Sequence, residues 1–196
     1  MVTIVLVTLL GTNPATAQFD PPSNYYNSAT GTGSTLKQQL HNIIDNHTQF
    51  SYNAMRTALQ VVDRDPHDSD NIILVYDRTS LDVSGIGSSI PGWDSGNSWN
   101  REHTWPRALG VDSSGPDNSD LHQLRPSNPS INSDRGSLHF GGAYGSQSYG
   151  TVFDKGNTVW YPGDTDAGMI ARQQFYMAVR YDNSDSATED LELANG

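Results

Sequence analysis

Residues 99–106 read Trp-Asn-Arg-Glu-His-Thr-Trp-Pro, and residues 120–136 read Asp-Leu-His-Gln-Leu-Arg-Pro-Ser-Asn-Pro-Ser-Ile-Asn-Ser-Asp-Arg-Gly. The first segment predicts a short strand through Ser98–Thr104 that delivers His103 near its end, in a setting stiffened by two tryptophans and a proline. The second predicts a small helix with clear punctuation. Asn128 is a helix cap, Pro129 occupies the first helical position, Gly136 stops the helix, and Asn132 rides on it. Between them, His122 has alternating apolar neighbours, which reads as a half-buried strand in which the ring orients backbone or His103 by hydrogen bonding. Neighbouring residues on a strand face opposite ways, so Glu102 and His103 serve one site only if the strand ends there or the site sits at its edge.

Outward from this segment, Asp112–Asp120 is Asp, Ser, Gly, Pro and Asn at almost every position and reads as a surface loop. Upstream, Leu36, Leu40, Ile43 and Ile44 fall at helical spacing, as do Tyr52, Met55, Leu59 and Val62. The run Asn71–Tyr76 is apolar and β-branched and reads as a strand, with loop over Val83–Asn97. Downstream, Ser137–Asn157 reads as irregular, and Ile170, Phe175, Met177, Ala178 and Tyr181 mark a largely buried helix. At the start, the apolar run Val2–Leu10 followed by Ala15-Thr16-Ala17 resembles a signal peptide over residues 1–17, cleaved after Ala17, although a buried strand is an alternative. Residues 18–34 read as a flexible lead-in, and residues 35–196 as one catalytic domain.

The chain of 196 residues contains 18 Gly and 10 Pro, so function is expected on irregular loops carried by one compact core. There is no Cys, which excludes disulfides and thiolate zinc sites. Any metal must use imidazole, carboxylate, carboxamide or water, a set that suits a hard divalent cation or a histidine-held zinc. A net charge of −11 argues against holding nucleic acid by bulk electrostatics. A site needs only local positive charge, however, and Arg101, Arg107, Arg125 and Arg135 all fall in the motif-bearing stretch.

Taken in order, residues 99–106, 120–126 and 132–136 resemble the bacterial endonuclease I family of secreted and periplasmic nucleases. The similarity extends through Tyr161-Pro162-Gly163-Asp164 and Phe175–Tyr181, and covers roughly residues 35 to 193. It implies a mixed α+β domain built on a ββα-metal (His-Me) finger, with flanking helices and long irregular loops. It also implies that His103 is the general base and that Glu102 and Asn132 are the metal ligands. The expected cofactor is one divalent cation, Mg2+ first, with Ca2+ or Mn2+ as alternatives. Arg135 and Arg101 are expected to grip phosphate, with Arg107, Arg125 and His122 in support. The implied reaction is hydrolysis of DNA, with RNA open, at little sequence specificity and leaving 5′-phosphate and 3′-hydroxyl ends. No membrane or protein partner is expected. Members of the family generally continue well past the final helix, so this chain reads as truncated, with Leu191-Glu192-Leu193 resembling the start of the missing region.

Two rival readings remain open at this stage. A zinc hydrolase would use His103, His122 and a carboxylate, but their separation of nineteen positions lacks the close spacing of the helical zinc motif. A secreted carbohydrate-binding module would use the 4 Trp and 9 Tyr as stacking platforms.

Overall fold

The computed structural model describes residues 21–145, 148–182 and 188–193; the leader expected over Val2–Ala17 lies outside them. Helix α1 spans Gly33–Ile44 and α2 spans Met55–Val62. Strands β1 (Arg64–Asp65), β2 (Asp68–Ile73) and β3 (Ser80–Asp82) form an antiparallel sheet in that order. Strands β4 (Asn100–His103) and β5 (Leu124–Ser127) pair antiparallel, and α3 (Pro129–Arg135) follows β5 directly. A hairpin of β6 (Tyr149–Asp154) and β7 (Asn157–Pro162) then leads into α4, Asp164–Arg180. The fold is mixed α+β.

Local chemistry explains the central unit. The Asn128 side chain accepts from the Ser130 amide at 2.9 Å, Pro129 starts α3, and Gly136 at φ 53° ends it. In the β4–β5 ladder, Glu102 faces Arg125 and His103 faces Leu124. Cross-strand partners share a face, so Leu124 and His103 turn toward α2, where Leu124 joins the core of Met55, Leu59, Ile72 and Trp99. Glu102 and Asn100 turn toward α3 instead. Two further clusters anchor α4: Met177, Ala178 and Tyr181 pack with Trp105 and Leu191, and Ile170 packs with Tyr76, Ile131 and Trp160.

Several expectations are corrected. The strand expected over Asn71–Tyr76 lies earlier, at Asp68–Ile73, where β1 and β3 flank it; beyond Ile73 the chain leaves that sheet, Val75 bridging Ser127 of β5 and Tyr76 turning at φ 76°. His122 lies in a turn, not a strand. The Asp120 carboxylate accepts from the His122 amide at 2.8 Å and bends the chain before β5 begins. The irregular stretch expected over Ser137–Asn157 contains β6, whose hairpin closes through Lys155 and Gly156 at φ 47° and 84°, a two-residue turn that matches strand twist. Helix α4 is amphipathic rather than buried throughout, since Phe175 is 63% exposed. The loop Asp112–Asp120 is superficial only in its first half, because Asp117, Asn118, Ser119 and Asp120 are all buried.

Candidate active site

Burial of Asp117–Asp120 is possible because these short polar side chains satisfy the backbone around them. The Asp117 carboxylate accepts from the amides of Asp112 and Asn118, both at 2.9 Å. The Gln123 amide nitrogen donates to the Asp117 carbonyl, and the Gln123 side-chain oxygen accepts from the Trp105 amide. The result is a rigid wall beside the end of β4.

His103 leans on that wall. Its Nε2 lies 3.1 Å from the Asn118 carbonyl oxygen and 3.2 Å from Asn118 Oδ1. A carbonyl only accepts, so Nε2 carries the proton and Nδ1 keeps the lone pair. The Asn118 carboxamide is itself oriented, donating from Nδ2 to the Ser113 carbonyl and accepting at Oδ1 from Arg107. Burial, reinforced by the charge of Arg107, pushes the His103 imidazole down to about 4, so it is neutral at pH 7. Tyr52 stacks on the ring at 5.6 Å.

On the opposite face of β4, Glu102 is 2% exposed. Its Oε1 accepts from the Tyr76 hydroxyl at 2.6 Å and lies 3.2 Å from Arg135 Nη1. Burial dominates and pushes the Glu102 carboxyl up to about 7 despite Arg135. The unusual backbone of Tyr76 is secured by Asp166 of α4, whose Oδ2 accepts the Tyr76 amide at 2.9 Å. Asn132 donates from Nδ2 to Asn100 Oδ1 at 2.7 Å, which aims its carboxamide oxygen away from that contact. Asn132 and Glu102 thus border the same strand on its α3 side.

The expected arginines divide in two. Arg101 and Arg107 sit on the His103 side, with their guanidinium carbons 3.6 Å and 4.8 Å from the Tyr52 ring centroid. Arg135 is 1% exposed and donates to the carbonyls of His103 and Thr104 at 2.9 and 2.8 Å, a different task from the expected phosphate grip. Arg125 is committed to Asp63 at 2.9 Å. His122 is held by Asp120 at 2.9 Å and stacks on Tyr176 at 4.2 Å. All four tryptophans are buried, so none offers an exposed stacking platform of the kind a carbohydrate-binding surface needs.

Tyr52, Tyr76 and Asn118 are site residues that the sequence reading missed. Tyr52 and Tyr76 arrive from elements far from the motifs, and Asn118 was hidden in an apparent surface loop.

The donor set on the α3 side, one carboxylate and one carboxamide oxygen, suits a hard cation that keeps most of its water. Among the described residues, no group of three His, Asp or Glu side chains is placed to hold a metal, so a zinc cage of His103, His122 and a carboxylate has no geometric basis there.

The family model described as Endonuclease I matches residues 32–196. A protein named Extracellular ribonuclease from Bacillus subtilis (strain 168) is 38% identical over 190 residues, covering 94% of this chain and 62% of its own length. The Extracellular ribonuclease of Bacillus amyloliquefaciens is 40% identical over 174 residues, covering 86% of this chain and 57% of its own. The chain therefore spans about three fifths of the length of the curated relatives it matches. No solved structure matches. A match that takes in β4, β5, α3 and every element packed on them, together with relatives at this identity, makes the chain a member of the endonuclease I family.

Proposed function

We propose that this chain is a divalent-metal-dependent endonuclease that hydrolyses phosphodiester bonds in RNA and DNA with little sequence preference, leaving 5′-phosphate and 3′-hydroxyl ends. The observation that carries the reading is the state of His103. Its Nε2 is tied up by the Asn118 carbonyl, its ring is neutral, and Nδ1 is left as a lone pair one residue from the buried Glu102. Nδ1 takes a proton from the attacking water, the new oxygen–phosphorus bond forms, and the bond from phosphorus to the 3′-oxygen breaks, the departing 3′-oxygen taking a proton from a second water to become the 3′-hydroxyl. Glu102 and Asn132 would hold the cation, Mg2+ before Ca2+ or Mn2+, which when bound supplies positive charge for the phosphate and the departing oxygen. Tyr76 and Arg135 fix the Glu102 carboxylate, and Arg101 and Arg107 meet phosphate on the His103 side. Since the two faces of β4 carry the two halves of the site, the substrate lies across the strand end at His103 and Thr104.

RNA enters the proposal because both relatives are named as ribonucleases. Their extracellular description also supports export, and among the described residues no helix is long and apolar enough to cross a membrane. Purified chain should cleave plasmid DNA and a structured RNA after EDTA treatment and Mg2+ addition. The variant His103→Ala should lose on the order of a hundredfold or more in rate while keeping its circular dichroism spectrum. Full activity in His103→Ala would remove the base from the scheme. Activity that only a zinc-selective chelator abolishes would favour the zinc reading.

A further inference from the structure

The charges beside His103 are arranged in a way that the hydrolytic scheme alone does not require. The chain has nine arginines, all among the described residues. Four make ion pairs: Arg78 with Asp166, Arg125 with Asp63, Arg135 with Glu102 and Arg180 with Asp45. Of the other five, three gather around two aromatic rings. Arg101 lies over Tyr52 at 3.6 Å and within 5.1 Å of the Trp93 ring, Arg107 lies 4.8 Å from Tyr52, and Arg56 lies 6.0 Å from Trp93. Among the described residues none of the three has a carboxylate partner, in a chain with twice as many acids as bases.

Gathering three like charges is unfavourable without a counter-ion, and the half-buried Arg101 has also lost much of its water. Cation–π contact with the rings offsets part of that cost, and single hydrogen-bond acceptors fix each guanidinium: Arg56 Nε donates to the Asn53 carbonyl, Arg101 Nη1 to the Tyr52 carbonyl, and Arg107 Nε and Nη2 to Asn118 Oδ1, which leaves the remaining N–H groups for an anion. Arg107 is exposed and Arg56 and Arg101 are half-buried. Clefts of about 820 Å³ over Trp105 and Phe140, and of about 520 Å³ over Leu121 and Tyr176, are lined by neither His103 nor any of these three arginines. A row of guanidiniums without carboxylate partners, set outside those clefts, fits an extended polyanion better than an enclosed small molecule.

We propose that Arg56, Arg101 and Arg107, set on Tyr52 and Trp93, form a track for the backbone phosphates that flank the bond to be cut, so that the preferred substrate is a polynucleotide strand rather than a dinucleotide. The proposal rests on the nuclease reading and deepens it. The two rings are covered by guanidiniums and do not stack bases, so the track reads charge and not sequence.

The test uses the full chain in a His103→Ala background and a fluorescein-labelled single-stranded DNA of 20 nucleotides, followed by anisotropy across a NaCl series. Each phosphate contact on a single strand contributes about 0.7 to the slope of log affinity against log salt, so Arg56→Gln and Arg107→Gln should each make the slope shallower by about that amount. Arg56→Lys should keep the slope, and Arg64→Gln, which alters an exposed arginine on β1, should match the parent. With His103 intact, Arg56→Gln should cut the preference for the 20-mer over a dinucleotide on the order of tenfold. Variants that melt like the parent yet keep its slope would overturn the track, as would an equal change in Arg64→Gln. Arginine-dependent binding without cleavage by the native chain would uphold the track and fail the hydrolytic reading. Cleavage with a slope indifferent to these arginines would do the reverse.

Discussion

Replacing Arg135 by alanine removes a guanidinium that serves four acceptors at once: the carbonyls of His103, Thr104 and Gly136 and the Glu102 carboxylate at 3.2 Å. Breaking a buried pair by removing one partner costs roughly 3–5 kcal/mol, because the survivor is left charged and dry. Glu102 can take up a proton and Gln174 still donates to the Thr104 carbonyl, so the lower end, about 3 kcal/mol, applies. Against a domain stability of about 5–15 kcal/mol this is a large fraction. Equilibrium urea unfolding followed by fluorescence of the buried tryptophans should show the midpoint falling by about 1–3 M, given a dependence of about 1–3 kcal/mol per molar urea. Arg135→Lys should recover part of the loss, since a point charge can neutralise Glu102 but does not bridge the carbonyls. If instead Arg135→Ala unfolds within about 0.5 kcal/mol of the parent while KM for nucleic acid rises, Arg135 is a phosphate ligand and the buried-clamp argument is wrong.

Tyr76→Phe deletes the hydroxyl that donates to Glu102 Oε1, leaving the ring packed on Trp160 at 5.6 Å. Losing such an orienting partner should weaken the site's cation affinity by about tenfold or more, read as Mn2+ binding by calorimetry and as the Mg2+ midpoint of the rate; an unchanged Mn2+ affinity would remove Tyr76 from the positioning set. Asp63 gives a pH test of stability. Burial outweighs its Arg125 partner and pushes the carboxyl up to about 6, above its ordinary 3.8, so the folded state holds the extra proton. Its contribution is therefore fully present below pH 4 and is lost as pH rises through 6, amounting to about 3 kcal/mol. The difference in urea stability between the parent and Asp63→Asn should move across that window, and a flat difference would refute the assignment.

The two ends of the segment from Trp99 to Gly136 were legible because their signals are local, whereas the turn at His122 and the buried half of Asp112–Asp120 between them depend on contacts made elsewhere. A proline and an asparagine cap define α3 without reference to the rest of the chain, and the bounds of β4 fall inside the strand expected at 98–104. Elements whose cause is tertiary were not. The polar strand Asp68–Ile73 exists because β1 and β3 flank it, and the apolar Leu74–Tyr76 that looked like its continuation goes instead to two separate core clusters. The β6–β7 hairpin did carry a local signal, a Lys-Gly pair, but Gly-rich neighbours obscured the alternation. In the site, residue types at the motif could be read from sequence, whereas their tasks depended on distant partners. Arg135 looks like any motif arginine until two carbonyls are found 31 and 32 positions back along the chain.

The chain as a whole is acidic, yet three arginines without carboxylate partners among the described residues stand near His103, and the fold shows how both can hold. The acids nearest the chemistry are turned inward: Asp117 onto backbone amides, Asp120 onto His122, Tyr176 and Tyr181, and Glu102 onto Tyr76 and Arg135. Arg135 is buried against Glu102, whereas Arg56, Arg101 and Arg107 lie against two rings without carboxylate partners among the described residues. A field of several kT can therefore be positive over the strand end while the remaining acidic surface repels polyanions. Affinity supplied by so few groups has a ceiling. Three phosphate contacts on duplex DNA give a salt slope of about −2.7, far shallower than that of proteins making six to ten contacts. A slope much steeper than this for the parent chain would mean that cations outside the Tyr52 and Trp93 cluster hold the substrate, and the inward turn of the acids would then play no part in binding.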